Sequence, residues 1–113
     1  MHTTLIVARH LPGSEAEIAR LFAESDAGGL PERIGVRTRK LYTFHDVYIH
    51  QVESEAVAGP HIERHRKDPL FQQISKALDE YIQPYQGNWG SIHAASATQF
   101  YQWERGRGVV PVE

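Results

Sequence analysis

The chain has no cysteine. Disulfides, thiolate nucleophiles and zinc–thiolate sites are therefore excluded. No stretch approaches the ~18 apolar residues of a membrane span. The opening MHTTLIVARH lacks the basic n-region and long apolar h-region of a signal peptide, so a cytoplasmic protein is the expectation. Neither sign of charge dominates: 12 Lys and Arg against 14 Asp and Glu leave a net charge of -2 with histidines neutral. The cations are also scattered, which gives no electrostatic reason to expect a nucleic-acid or anionic-membrane partner. What is present is the composition of one soluble domain, 113 residues long and 41% hydrophobic, with seven histidines as its one oddity.

Hydrophobic periodicity orders the elements. Thr3 to Arg9 is a short, β-branched apolar run and predicts a first strand. Ser14 with Glu17 three residues on has the form of a capping box. Ile18, Leu21 and Phe22 continue at helical spacing until Gly28-Gly29. A second strand is expected from about Ile34 to Phe44, a turn at His45-Asp46, and a third strand from Val47 to about Val52. Pro60 suits the first turn of a short helix over roughly 60–66. Asp68-Pro69 is a stronger start, cap followed by proline, for a helix with an apolar stripe at Leu70, Ile74, Leu78 and Tyr81. A fourth strand is expected at about Ala97 to Trp103. Residues 1–104 then form one domain, and 105–113 a flexible tail.

The order β-α-β-β-α-β is the ferredoxin-like arrangement of the α+β class, an antiparallel sheet with helices on one face. A turn at His45-Asp46 fixes the hairpin register. Phe44 then faces Val47, Tyr42 faces Ile49 and Leu41 faces His50. Alternation puts Tyr42, Phe44, Val47 and Ile49 on one face, and Arg37, Arg39, Leu41, Tyr48, His50 and Val52 on the other. Both faces carry enough apolar surface to need cover. Helices can cover one, and a second copy of the chain, sheet against sheet, can cover the other.

The cation-bearing face is the candidate site. Arg39 and His50 are diagonal neighbours on it, and burying both is costly unless they are paired. Asp26, closing the first helix, is the acidic partner within reach if helices cover that face. Two readings stand: a solvated ion pair at a loose sheet edge, or a site in which histidine moves a proton and arginine stabilises an enolate or polarised carbonyl oxygen. His61 and His65 share a helix face, but the HIERH order is not a zincin motif and marks no third ligand, so a solvated helix turn is the plainer reading. His2, His10 and His93 read as surface residues, and His45 and Asp46 as turn residues. Trp89, Phe100, Tyr101 and Trp103 are core or pocket-wall candidates.

LPERIGVRTRKLYTFHDVYIH, the DPLF that begins at Asp68, and the closing FYQW resemble the small aromatic polyketide cyclases, with similar spacing from about residue 4 to residue 104. The resemblance implies a dimeric ferredoxin-like (α+β barrel) fold and an enzyme without metal or organic cofactor. It implies intramolecular aldol condensation and dehydration of a poly-β-ketone, in an antibiotic or spore-pigment pathway served by a type II polyketide synthase. Its catalytic residues would be Arg39, His50 and Asp26: His50 as acid/base, Arg39 as oxyanion stabiliser, Asp26 as orienting carboxylate or second acid/base. Ser25, Arg37, Tyr48 and Trp89 would contact substrate. Where the family has a histidine before the helix-closing aspartate, this chain has Ser25. Two other readings share the architecture: a cofactor-independent anthrone or quinol monooxygenase, and a non-catalytic protein that binds an aromatic ligand.

Overall fold

The computed structural model describes residues 2–55, 64–65, 67–87 and 92–112. Strand β1 (His2–His10) leads to helix α1 (Glu15–Ala27), a single turn α2 (Leu30–Arg33), and the hairpin of β2 (Val36–Phe44) and β3 (Val47–Ser54). Helix α3 (Pro69–Leu78), strand β4 (Ile82–Pro84), a turn α4 (Ile92–Ala95) and a terminal pair, β5 (Trp103–Glu104) and β6 (Gly108–Val109), complete the described elements. The main sheet runs β2-β3-β1-β4 with every neighbour antiparallel. This is an α+β chain with the β-α-β-β-α-β order of the ferredoxin-like arrangement.

The hairpin register is the expected one: Phe44 opposes Val47, Tyr42 opposes Ile49 and Leu41 opposes His50. His45 adopts a positive φ of 55°, which makes the tight turn without the glycine such turns favour. Asp46 at the same tip bonds Arg9 at 2.7 Å, tying the turn to β1.

Two expectations are corrected. The fourth sheet strand is Ile82–Pro84, not Ala97–Trp103. At three residues it is too short to show a period, and its proline is tolerated because β4 lies at the sheet edge. Residues 98–102 are not in a strand; only Ser96 bridges Ile6, and Ala97 donates to the Leu5 carbonyl at 2.7 Å. The capping box at Ser14 does not form either. The Ser14 hydroxyl donates to the Leu11 carbonyl at 2.6 Å, and Glu17 pairs with Arg20 at 2.9 Å. The Asp68 cap does form, accepting from the Leu70 N–H at 2.9 Å. The same carboxylate takes both arms of Arg33, at 2.9 and 3.2 Å, which holds α2 against the start of α3. Of the expected helix over 60–66, only Arg64 and His65 are among the described residues.

The helices cover one face of the sheet. Ala8, Tyr48, Val52 and Ile82 from the strands meet Ile18 and Phe22 of α1, Leu30 of α2 and Ile74 of α3 in one core. Leu70, Leu78 and Tyr81 of the expected stripe pack, partly buried, against it. Gly28 lets α3 approach the end of α1, since a Cβ there would stand 2.7 Å from Leu70 Cδ1. On the opposite face Tyr42 and Phe44 remain 48% and 66% exposed, with Leu5 beside them. Residues 105–113, expected to form a tail without regular structure, contain β6, which turns back on β5.

Candidate active site

The site is built where α1 crosses the inner face of β2 and β3. Alternation along β3 sends Tyr48, His50 and Val52 inward, and all three are buried. The same rule along β2 sends Arg39 and Leu41 inward, to flank His50. The last turn of α1 contributes Phe22, Ser25 and Asp26. Phe22 and Ser25 are buried against the sheet, and Asp26 sits at the helix end with a third of its side chain in solvent.

Arg39 is the centre of the arrangement. Its Nε and Nη2 donate to the two oxygens of Asp26 at 3.1 and 3.0 Å, a bidentate pair. Its Nη1 lies 2.8 Å from His50 Nε2. The guanidinium carbon stacks 4.7 Å from the centre of the Phe22 ring. That ring also meets the His50 imidazole edge-on at 5.2 Å. The arginine side chain is 14% exposed, so one edge of the array reaches solvent while the imidazole end does not.

The contact between Arg39 and His50 fixes the state of the histidine. An arginine has no acceptor and stays charged, so Nε2 must be the acceptor. His50 is therefore neutral, with its proton on Nδ1. Burial first, and the Arg39 charge second, hold its pKa down at about 3. Tyr48, on the same face with its ring 6.0 Å from that of His50, has its phenol pushed upward by burial, an effect the Arg39 charge partly offsets. It stays protonated and can donate.

The structure thus brings together five of the residues singled out in the sequence: Asp26, Arg39, His50, Tyr48 and Ser25. Arg37 does not join them. A bulge between Val36 and Thr38 breaks the alternation, so Val36 rather than Arg37 shares the inner register. Arg37 is exposed and faces Glu55 at 3.4 Å. Trp89 and His61 lie outside the described residues. Phe100, Tyr101 and Trp103 are all exposed.

Sequence reasoning missed one participant and misplaced another histidine. Phe22 is the platform on which both Arg39 and His50 rest, and its helical spacing marked it only as core. His10 is 4% exposed rather than on the surface. Its Nε2 lies 2.7 Å from the Thr43 hydroxyl, and its Nδ1 lies 2.9 Å from the Leu11 carbonyl. The signal was available: His10 alternates with Ile6 and Ala8, the inward residues of β1. A separate cavity of about 370 Å³, lined by Val7, Pro84, Tyr85, Gln86 and residues 94–97, shares no residue with the array.

Arginine, imidazole and carboxylate are thus joined in one array on the helix-covered face of the antiparallel sheet. The family can be stated on wider grounds. Residues 2–104 match the family described as polyketide synthesis cyclase, and the chain belongs to it. It is 46% identical over 107 residues to an uncharacterized protein of Streptomyces coelicolor, covering 93% of this chain and 96% of the other. It is 42% identical over 106 residues to polyketide synthase CurG of Streptomyces cyaneus, with 93% and 99% covered. The solved structure of tetracenomycin F2 cyclase from Streptomyces glaucescens, a type II polyketide cyclase, superposes with a TM-score of 0.83 at 35% identity, over 92% of this chain and 98% of that one. The chain is a polyketide cyclase, and so an enzyme.

Proposed function

We propose that this cyclase closes a ring of a poly-β-ketone by intramolecular aldol condensation followed by loss of water, in an antibiotic or spore-pigment pathway that includes a type II polyketide synthase. The observation that carries the reading is the Asp26–Arg39–His50 array on the helix-covered face. Aldol closure needs donors for an enolate or aldol oxygen, and a group to take the proton lost between two carbonyls. Arg39 has five N–H donors, of which three are engaged among the described residues. The remaining two support its role as oxyanion stabiliser. Asp26 accepts one bond on each oxygen, and an ionised carboxylate offers about four acceptor sites. It is the group left to take up the proton. Poly-β-ketones also cyclise unaided, so folding the chain to bring the right carbons together is part of the catalysis.

The same reading includes a homodimer formed through the outer sheet face, where Leu5, Tyr42 and Phe44 are exposed. Covering them with the same face of a second copy would remove the liability of an open apolar sheet.

The test is a ring-closure assay on a poly-β-ketone generated in place by a minimal synthase, with product regiochemistry and oxygen uptake followed together. Wild type should give one ring pattern with loss of water and no oxygen consumption. Arg39→Ala should slow closure by ~10²-fold or more and scatter the products. Unchanged rate and product ratio in that variant would refute the assignment, and oxygen consumption would mark a monooxygenase.

A further inference from the structure

His50 and Tyr48 stand two residues apart on the inward side of β3, and both are at least nine-tenths buried. His50 spends Nε2 on Arg39 at 2.8 Å, which leaves its Nδ1–H as a donor, and the Tyr48 phenol, kept protonated by burial, is a second donor on the same face. Ser25, also nine-tenths buried, lies on α1 beside Asp26. Among the described residues, no side-chain nitrogen or oxygen fully shielded from solvent lacks a partner. Two side-chain donors two residues apart on one sheet face suit a ligand that carries two acceptor oxygens.

We infer that His50 acts in this enzyme as a neutral hydrogen-bond donor through Nδ1–H, together with the Tyr48 hydroxyl, to the oxygens of a bound 1,3-dicarbonyl or its enolate. This rests on the proposed substrate class and gives His50 a role other than the acid/base expected from the sequence. The nitrogen a base would use, Nε2, already accepts from Arg39 at 2.8 Å. Asp26, gripping the same guanidinium at 3.0 and 3.1 Å, holds it in that position. The carboxylate fixes the arginine, the arginine fixes the tautomer, and the tautomer makes Nδ1–H a donor. This is the logic by which a partner on one ring nitrogen decides what the other nitrogen can do. Asp26 and Arg39 thus have a positioning task besides any direct contact with substrate. Neutral donors suit an enolate because they stabilise its developing charge without a proton being transferred to it.

Two measurements on the full chain decide the matter. The first is nitrogen NMR of the histidine rings between pH 6 and 8. His50 should carry its proton on Nδ1 throughout, and Arg39→Leu should release that preference into a mixture of tautomers. A proton on Nε2 in the wild type would overturn the inference, whatever reaction the enzyme catalyses. The second uses benzoylacetone, a stable 1,3-dicarbonyl, as the probe. It should shift the His50 Nδ1–H resonance, and Tyr48→Phe should weaken its binding about tenfold, the worth of one hydrogen bond. Binding that Tyr48→Phe leaves unchanged would also overturn it. In the ring-closure assay His50→Asn, whose amide N–H stands near the place of Nδ1, should retain activity within about tenfold of wild type. His50→Ala should lose ~10²-fold or more. If folded His50→Asn is as inactive as His50→Ala, the donor role is wrong. If no ring closure occurs even with wild type, the substrate reading fails while the tautomer measurement still stands by itself.

Discussion

A histidine buried in the neutral form should make the folded protein sensitive to mild acid, and His50 allows the size of the effect to be worked out. Its pKa falls from 6.5 to about 3 on folding, through burial and then through Arg39. Between those values the unfolded chain binds a proton at this position and the folded chain does not. Stability must therefore fall as pH falls through that window, and the contribution is complete only above 6.5. At ~1.4 kcal/mol per unit, the shift amounts to ~5 kcal/mol if pH is taken below 3. Between pH 7 and pH 5 the share is ~2 kcal/mol. Because His50 is only 6% exposed, solvent screening takes little from this figure. The measurement is urea unfolding of wild type and His50→Asn at pH 5, 6 and 7. The comparison cancels the other six histidines, including buried His10. His50→Asn should start less stable at pH 7 and lose ~2 kcal/mol less than wild type on going to pH 5. Parallel pH dependences would mean that His50 is protonated, or free to be, in the folded state. The Arg39–His50 geometry would then be wrong.

Three further outcomes follow from the packing. Ile74→Ala, at the point where α3 enters the core, should cost about 2–5 kcal/mol in urea unfolding with an unchanged m-value. Gly28→Ala would bring a Cβ to 2.7 Å from Leu70 Cδ1. Since that methyl belongs to a flexible side chain, the cost should be about 1 kcal/mol, read as a small drop in Tm. Phe44→Glu, on the exposed outer face, should leave the fold intact by circular dichroism and shift a sedimentation profile from dimer to monomer; a profile indifferent to the substitution would count against dimerisation through that face.

Much of the fold was legible because the responsible signals are local. A tight turn at His45-Asp46 and a side-chain period of two are enough to place Leu41 opposite His50 and to separate the two faces of the hairpin. Asp68 before Pro69 marks a helix start for reasons contained within three residues. Signals failed where a competitor lay outside the window. Ser14 could have capped α1, but its side chain makes no cap bond and its hydroxyl donates back to the Leu11 carbonyl. β4 is three residues long and exists because β1 offers it an edge, so no periodicity could announce it.

The sequence by itself determined that the chain is a cysteine-free α+β domain of the polyketide cyclase family, and it determined which hairpin residues from Arg39 to Val52 share a face. Only the tertiary structure decided which of the cations count. A single bulged residue turns Arg37 out to Glu55 and leaves Arg39 inside, a difference that alternation cannot register. The fold also carries the end of α1 across β2, so that Asp26 grips Arg39 from thirteen positions away in the chain. The protonation of His50 is likewise a tertiary fact. It depends on the burial of the ring and on an arginine one strand away whose N–H has no role except to donate.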